Sequence, residues 1–165
     1  MSRQVSNVAV LMISSKILTG IKRDEGRADL EQMIHAHDMK LTTYRVVADD
    51  RGEITTQLID LCDSAQTDLV LTVGGTGVRP ADWAPEATKD VIEKEVPGIG
   101  EAMRAESLKK VRTAMLSRGI AGIRGRTLIV NLPGSARGAR ENLVVLLPIL
   151  DHTIGKLSGE SVMSQ

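Results

Sequence analysis

Short apolar runs, each leading into a polar or glycine-rich loop, constrain the fold of this chain more than any other feature. Residues 8–13 and 69–73 have the length of strands, and nearly every position in them is apolar. Such runs are typical of strands that are covered on both faces of a parallel sheet. Helical patterns lie between them, as in the stripe Leu30, Met33 and Ile34. The alternation predicts an α/β fold with helices on both faces of the sheet.

Three further stretches have strand character: residues 41–47, 120–123 and 127–130, the last two flanking an Arg-Gly turn. Asp50 and Glu53 have the spacing of a capping box, which predicts that a helix begins there. We therefore interpret Asp50 as a capping residue.

Prolines predict where several helices begin, end or bend. Pro85 suits the first turn of a helix whose apolar face extends to Val96, and Pro97 is expected to stop that helix. A helical stretch follows over about residues 99–109. The last helix is predicted to span about residues 136–157, and Pro148 in its interior should kink it or split it in two.

Length and composition bound the class of protein. The 165 residues suit one domain, with a core over about residues 8–157 and a frayed tail after it. Formal net charge is zero, and aromatic residues make up 1% of the chain, which argues against nucleic-acid partners. No apolar run is long enough to span a membrane. Cys62 is the only cysteine, so a reducing compartment fits, and we expect a cytoplasmic protein.

The strongest local signal for a binding site is the loop that follows the run at residues 69–73. Gly74, Gly75, Thr76 and Gly77 expose backbone amides where ligands bind in open α/β sheets, so a phosphate is the expected ligand. The spacing matches neither the Walker A loop nor the dinucleotide fingerprint. A tight turn without a ligand is the alternative for this loop taken alone.

Two carboxylates fall on loops at predicted strand ends. Asp49 follows the second strand, and Asp82 lies five residues beyond Gly77. A pair of carboxylates beside a phosphate loop suits Mg²⁺, a hard cation that prefers oxygen ligands. The alternative is that each aspartate caps a turn or a helix.

Two more segments carry polar groups at predicted strand ends. Asn131, Pro133, Gly134 and Ser135 belong to a loop that leads into the last helix, whose free N–H groups form a second candidate anion site. Arg137 and Arg140 were considered as added positive charge at that helix start. Ser117 and Arg118 offer a hydroxyl and a fork-shaped cation near another strand edge. Ordinary loops without ligands are the alternative for both segments.

Together these segments resemble one family, because five motifs occur in its order. They are Thr72-Val73-Gly74-Gly75-Thr76-Gly77, Asp82-x-x-Pro85-Glu86-Ala87-Thr88, Met115-Leu116-Ser117-Arg118, Ile123-Arg124-Gly125 and Asn131-Leu132-Pro133-Gly134-Ser135. The family is that of the molybdopterin adenylyltransferases (MogA/MoaB), whose fold recurs in gephyrin and plant Cnx proteins. The resemblance covers about residues 8–157. It implies a MogA-like three-layer sandwich with a mainly parallel sheet, usually assembled as a homotrimer.

The resemblance also implies a reaction and its participants. The phosphate of molybdopterin would attack the α-phosphorus of ATP, giving adenylylated molybdopterin and pyrophosphate, with Mg²⁺ as cofactor and a metal-insertion protein as a partner. Asp49 and Asp82 match the functional acids and metal ligands. The remaining matches are Gly74, Gly75, Thr76, Gly77, Asn131, Pro133, Gly134 and Ser135 for the nucleotide and its phosphates, and Ser14, Ser117 and Arg118 for molybdopterin.

Two segments depart from the family pattern. Ala81-Asp82-Trp83-Ala84-Pro85 stands where the family usually has Arg-Asp-Val-Thr-Pro, and Arg79 is the nearest substitute for the missing arginine. Ser14-Ser15 stands where Ser-Asp is usual. Two other functions therefore stay open: a non-catalytic molybdopterin-binding or interaction paralogue, and a nucleotide pyrophosphatase of the related CinA type. The role of Trp83 is not predicted.

Overall fold

A computed structural model describes residues 5–63 and 67–159, and within them a six-stranded sheet carries helices on both faces. The strands are β1 Ser6–Ile13, β2 Met39–Val47, β3 Leu69–Val73, β4 Lys94–Glu95, β5 Ala121–Arg124 and β6 Thr127–Leu132. The helices are α1 Ser15–Leu18, α2 Arg27–Ala36, α3 Arg51–Asp63, α4 Ala84–Val91, α5 Pro97–Leu108 and α6 Ala136–Leu157. A short 3-10 helix, Arg112–Leu116, follows α5.

The sheet is mainly parallel, as predicted. Its strand order is β2-β1-β3-β6-β5-β4, and the first four of these strands run parallel to one another. The β5 and β6 strands form an antiparallel hairpin, and β4 pairs antiparallel with β5 at the edge. The carboxyl ends of β2, β1, β3 and β6 therefore lie along one edge of the sheet.

Alternate residues of the central strands enter two separate cores. On one face Val10, Leu71 and Val130 pack with residues of α2, α5 and α6. On the other face Leu11 and Val70 pack with residues of α3 and α4. The three-layer sandwich is thus confirmed, and the continuous apolar character of β1 and β3 has its reason in burial on both sides.

The largest error of the sequence-based prediction concerns the segment after α4. That helix ends at Val91, because Ile92 is already extended and residues 94–95 form β4. Pro97 does not stop a helix but begins α5. A proline at a first helical position costs nothing, because the N–H that it lacks would have had no partner within the helix.

Of the two outcomes predicted for Pro148, the split does not occur, because α6 continues through this residue as one helix. A proline there leaves the carbonyl of Val144 without its helical donor. Val144 lies on the outer face of α6, where water can supply that donor. Residues 160–165 of the predicted frayed tail lie outside the described part. Within the described part, no helix is long and apolar enough to cross a membrane.

Candidate active site

A cavity of about 500 Å³ opens at the carboxyl edge of the parallel strands. Nine of the residues predicted from the sequence line it: Ser14, Asp49, Gly74, Gly75, Thr76, Gly77, Asp82, Gly134 and Ser135. They come from the loops after β1, β2, β3 and β6. The parallel direction of these four strands therefore brings together residues that are more than 100 positions apart in sequence.

The glycine loop needs its glycines for two different reasons. Gly74 and Gly75 have φ of +102° and +71°, a region that side chains rarely adopt. A Cβ on Gly74 would also lie 2.5 Å from the carbonyl oxygen of Ile13, and one on Gly77 would lie 2.8 Å from Oδ2 of Asp82. The loop is thus folded tightly against β1 and against the turn that carries Asp82.

Four consecutive backbone amides of this loop have no acceptor. The N–H groups of Gly75, Thr76, Gly77 and Val78 make no hydrogen bond to any described residue, whereas the N–H of Gly74 donates to the carbonyl of Leu132. Successive free amides of this kind form anion-binding concavities. The loop therefore has the donors that a phosphate requires.

Asp82 is buried, yet one oxygen of its carboxylate remains available. Oδ2 accepts hydrogen bonds from the Arg79 amide at 3.0 Å and, more weakly, from Arg79 Nε at 3.5 Å. No described residue donates to Oδ1. Since the side chain is only 3% exposed, the residue is held in one orientation at the cavity wall.

Asp49 exchanges two hydrogen bonds with Ser15, in the segment that follows β1. Its Oδ2 accepts from the Ser15 amide at 3.0 Å, and its own amide donates to Ser15 Oγ at 2.9 Å. Ser15 is the residue that stands where the family usually has aspartate, and here it fixes Asp49 without adding a second negative charge. Asp50 instead caps α3, because its carboxylate accepts from the Glu53 amide.

The α6 helix begins directly at the cavity. Ser135 is its N-cap, and its Oγ accepts from the Gly138 amide at 3.0 Å. The amides of Ala136 and Arg137 have no acceptor among the described residues. A Cβ on Gly134 would lie 3.2 Å from the Cα of Gly74, so the two glycine-containing loops touch. The helix N-terminus thus adds a second set of donors beside the first.

Two smaller cavities adjoin the central one, and Ser135 lines all three. The second, of about 280 Å³, contains Ser117 and Pro133 and shares Thr76 and Gly77 with the central cavity. The third, of about 190 Å³, lies beneath the loop that carries Lys22. The loop that contains Ser135 therefore borders both smaller cavities as well as the central one.

Two predicted residues lie behind the site and line none of these cavities. Asn131 is 1% exposed, and its amide nitrogen donates to the hydroxyls of Thr72 and Thr88 at 2.9 Å. Its oxygen accepts from the Ile120 amide. Arg118 donates all its guanidinium hydrogen bonds to the protein. The Asn131 amide is therefore used within the protein, and the Arg118 guanidinium, although 38% exposed, binds protein acceptors with all three nitrogens.

The sequence analysis missed two cations, Lys16 and Lys22, which line the central cavity. Neither forms an ion pair with a described residue, and the Lys22 amide donates to the Lys16 carbonyl at 3.0 Å, which folds their loop over the site. Arg79 also lines the cavity, as a substitute for the missing family arginine would. The one sequence signal for their role is that their loop directly follows β1, whose carboxyl end lies at the cavity.

The arginines proposed at the start of α6 are engaged elsewhere. Arg137 pairs with Glu141 at 2.9 Å, and Arg140 pairs with Asp29 at 3.4 Å. Neither lines any of the three cavities. The positive charge of the central cavity comes instead from Lys16, Lys22 and Arg79.

Trp83 lies next to Asp82 but outside the cavity lining. The guanidinium of Arg51 lies 5.9 Å from the centre of its ring. Arg51 also makes a two-pronged ion pair with Asp90, and the hydrogen bonds from Arg51 lower the pKa of that carboxyl. Trp83 thus contacts the cation that links α3 to α4.

Comparisons with known proteins agree with this geometry. Residues 9–152 match the family model described as a probable molybdopterin binding domain. The molybdopterin adenylyltransferase of Helicobacter pylori is 40% identical over 158 residues, which covers 94% of this chain and 90% of that protein. The enzyme of the same name from Escherichia coli is 38% identical over 141 residues, covering 82% of this chain and 71% of that protein.

A solved structure gives the same result for the fold. The molybdopterin biosynthesis enzyme MoaB of Thermus thermophilus superposes with a TM-score of 0.89 at 40% identity, covering 94% of this chain and 98% of that one. The residues matched by the family model, 9–152, include all four loops that form the central cavity. The resemblance inferred from the five motifs is therefore confirmed, and this chain belongs to the MogA/MoaB family of molybdopterin-binding proteins of molybdenum-cofactor biosynthesis.

Proposed function

We propose that this protein adenylylates molybdopterin, using ATP and Mg²⁺. The observation that carries the proposal is one cavity in which four loop amides, a helix N-terminus, two carboxylates and two lysines meet. Within residues 5–63 and 67–159, these four amides have no acceptor and the two lysines form no ion pair. Such a site suits two phosphate groups that must be brought together. The names of the 38–40% identical relatives support the same activity.

The reaction needs alignment more than it needs proton transfer. An oxygen of the molybdopterin phosphate attacks the α-phosphorus of ATP, the bond from that phosphorus to the bridging oxygen breaks, and pyrophosphate leaves. The attacking oxygen is already ionised at neutral pH, so no general base is required. The task of the protein is to hold two anions in line and to offset the charge that develops on the leaving group.

The residues of the cavity divide this task between them. Gly74, Gly75, Thr76 and Gly77 hold phosphates through their loop, and Gly134 and Ser135 bring the amides at the start of α6 beside them. The second cavity, lined by Ser117 and Pro133, is proposed to hold molybdopterin. Ser14, at the rim of the central cavity, is proposed to contact molybdopterin. Lys16 and Lys22 are proposed to neutralise the pyrophosphate as it leaves.

The carboxylates fit Mg²⁺. Asp49 and Asp82 each use one oxygen in a hydrogen bond to the protein, and the other oxygen has no donor among the described residues. No group of three His, Cys, Asp or Glu side chains in the described part could hold a metal alone. This suits Mg²⁺, which commonly takes one or two carboxylates together with substrate phosphates and water. When bound, the ion would neutralise phosphate charge in the transition state.

Mass analysis of the product tests the proposal. The purified protein would be incubated with molybdopterin and ATP, with Mg²⁺ and with a chelator in its place. We expect an adenylylated product that requires Mg²⁺. Tight molybdopterin binding without a product would instead identify a binding paralogue. Pyrophosphate-bond cleavage in a nucleotide without any pterin would identify a pyrophosphatase of the CinA type.

Assembly and cellular context stay predictions. The chain is proposed to function as one domain, because its single six-stranded sheet contributes every loop of the site. A homotrimer is expected from the family resemblance, and sedimentation analysis would test it. The proposed cytoplasmic location and the metal-insertion partner would be tested by fractionation and by co-purification. The same resemblance supports neither a nucleic-acid partner nor a membrane partner.

A further inference from the structure

Arg118 hydrogen-bonds the glycine loop with both its side chain and its backbone. Its Nε donates to the Gly77 carbonyl at 2.7 Å, and its backbone N–H donates to the Thr76 carbonyl at 2.8 Å. Its Nη2 donates to the Asp82 carbonyl at 2.8 Å, and its Nη1 donates to both carboxylate oxygens of Glu86 at 2.7 and 3.0 Å. One residue therefore joins the loop, the Asp82 turn and the first turn of α4.

These contacts fix the direction of the free amides. In a trans peptide the C=O and the following N–H point in opposite directions, and no described peptide bond is cis. The Arg118 backbone binds the Thr76 carbonyl and its guanidinium binds the Gly77 carbonyl, so the N–H groups of Gly77 and Val78 point away from Arg118. Only the second contact depends on the side chain, so the Val78 N–H is the amide that a substitution of Arg118 affects most directly. The Gly77 and Val78 amides are among the four without an acceptor, and both residues line the central cavity.

Glu86 explains why the guanidinium stays in place. Its side chain is 27% exposed, and both of its carboxylate oxygens accept hydrogen bonds from Nη1 of Arg118. Nε and Nη2 are then directed at the carbonyls of Gly77 and Asp82. A planar guanidinium meets these four acceptors in one arrangement, whereas an ammonium group cannot. The pair lies outside all three cavities, behind the loop.

We propose that Arg118 is a positioning residue which, held by Glu86, orients the phosphate-binding amides of the glycine loop and touches neither substrate. This differs from the molybdopterin-binding role that the family resemblance implies for Arg118. The inference rests on the proposed function for its catalytic consequence, but its effect on phosphate binding can be measured without any reaction. It assigns the pair Arg118–Glu86 to the nucleotide side of the site.

The two roles predict opposite results for Glu86→Gln. If Arg118 positions the loop, losing the carboxylate loosens the guanidinium, so phosphate binding weakens in the same direction as in Arg118→Lys. If Arg118 binds molybdopterin directly, Glu86→Gln frees it, so the KM for molybdopterin falls and the Kd for tripolyphosphate does not rise. The double variant should be no worse than Arg118→Lys alone, because both changes remove one interaction.

The experiment measures the Kd of inorganic tripolyphosphate by calorimetry, alongside kcat, the KM of each substrate and Tm. For Arg118→Lys we expect a roughly tenfold higher Kd for tripolyphosphate and a higher KM for ATP, with the KM for molybdopterin unchanged. For Glu86→Gln we expect the same direction, with a change of roughly threefold. The wild-type Kd for tripolyphosphate serves as the reference.

Arg124 provides a matched control. Its guanidinium also binds a carboxylate, that of Asp63, and a backbone carbonyl, that of Val91, but it lies outside the three cavities. Arg124→Lys should lower Tm without changing the Kd for tripolyphosphate. If Arg118→Lys also lowers Tm and leaves the Kd for tripolyphosphate unchanged, Arg118 is merely structural and the inference is wrong.

Three further outcomes would overturn the inference. They are a raised KM for molybdopterin alone, a Glu86→Gln effect of opposite sign, and a wild-type protein that does not bind tripolyphosphate. If Arg118→Lys does not fold, Glu86→Gln decides, and an unchanged Kd for tripolyphosphate refutes the role. If wild-type protein binds tripolyphosphate but makes no adenylylated product, the proposed function is wrong. The Kd values of the wild-type protein and the variants for tripolyphosphate then still test the positioning role of Arg118.

Discussion

The two edges of the parallel sheet treat their polar groups in opposite ways. At the amino edge, the side chain of Asp68, which precedes β3, accepts a hydrogen bond from the Asn7 amide at 2.7 Å. The Asp68 amide donates to the Asn7 carbonyl, and the Asp68 carbonyl accepts from the Leu128 amide. Thr127, at the start of β6, donates to the Thr67 carbonyl at 2.8 Å. At the carboxyl edge, four loop amides and the side chains of Lys16 and Lys22 have no partner in the described part.

This contrast identifies the active edge better than composition does. Buried polar groups are normally paired, because an unpaired one costs stability. A fold that pairs such groups at one end of its strands and leaves them open at the other has donors available for a ligand there. A substitution at the carboxyl edge can therefore be compared with a matched substitution elsewhere in the molecule.

The largest effect is expected for Asp82→Asn. Removing the negative charge beside the glycine loop should lower Mg²⁺-dependent kcat by roughly a hundredfold or more, because electrostatic stabilisation of the transition state is lost. Product formation at saturating Mg²⁺ measures this. Asp68→Asn at the amino edge should lower Tm and leave the kcat of folded protein unchanged. Full activity of Asp82→Asn would remove this residue from the mechanism.

Gly74→Ala should cause the next largest effect, this time on folding. A Cβ at φ +102° would lie 2.5 Å from the Ile13 carbonyl oxygen, which the backbone of β1 cannot easily relieve. We expect a loss of about 3 kcal/mol in the free energy of unfolding, measured by denaturant titration.

Gly125→Ala is its control. That glycine also has a positive φ, of +59°, but a Cβ there would meet nothing within 4 Å. Only backbone strain of about 1 kcal/mol is then expected. Equal losses for the two variants would show that the contact with β1 is unimportant.

The double variant Lys16→Met/Lys22→Met should raise the KM for ATP by roughly tenfold, since two unpaired cations are lost from the cavity. The effect should shrink as ionic strength rises, because salt screens exposed charges. Steady-state kinetics at low and high salt measures both. Lys156→Met is the control, because Lys156 lies in the last turn of α6, roughly 30 Å from the start of that helix. A change of similar size in the control would point to net charge and not to the site.

The smallest effect on activity is expected at Cys62. Burial raises the pKa of its thiol to about 12, so the reactive thiolate is scarce at pH 8. Treatment with iodoacetamide at that pH should leave both mass and activity unchanged. Alkylation should become measurable only as the pH rises towards 12, and rapid modification at pH 8 would show that α3 opens readily near its end.

Periodicity and spacing were sufficient for most of the fold and for the edge of the sheet at which most candidate residues meet. The runs at β1 and β3 are apolar because both faces of the sheet are covered, so their assignment needed no partner residue. Asp49 and Asp82 were expected on one rim because parallel strands end at the same edge. The glycine loop was found because its backbone conformation requires glycine, which leaves a direct mark on the sequence.

The remaining features depend on contacts that leave no such mark. The β4 strand consists of exposed Lys94 and Glu95 and exists only because β5 pairs with it. Lys16 and Lys22 reach the cavity because a backbone hydrogen bond folds their loop. The hydrogen bonds of Arg118 join four segments across a gap of more than 30 residues, and no local spacing reveals which acceptors a guanidinium will find.

The position of Trp83 has a practical consequence. The chain contains one tryptophan, and it is the residue immediately after Asp82, with about a third of its surface exposed. Indole emission from this protein therefore originates at a single known point beside the Asp82 carboxylate. Because Arg51 stands near the ring, any rearrangement of the Asp82 turn that moves this cation changes the quantum yield. The protein thus carries a built-in optical probe, with which ligand titrations can be followed on unlabelled material.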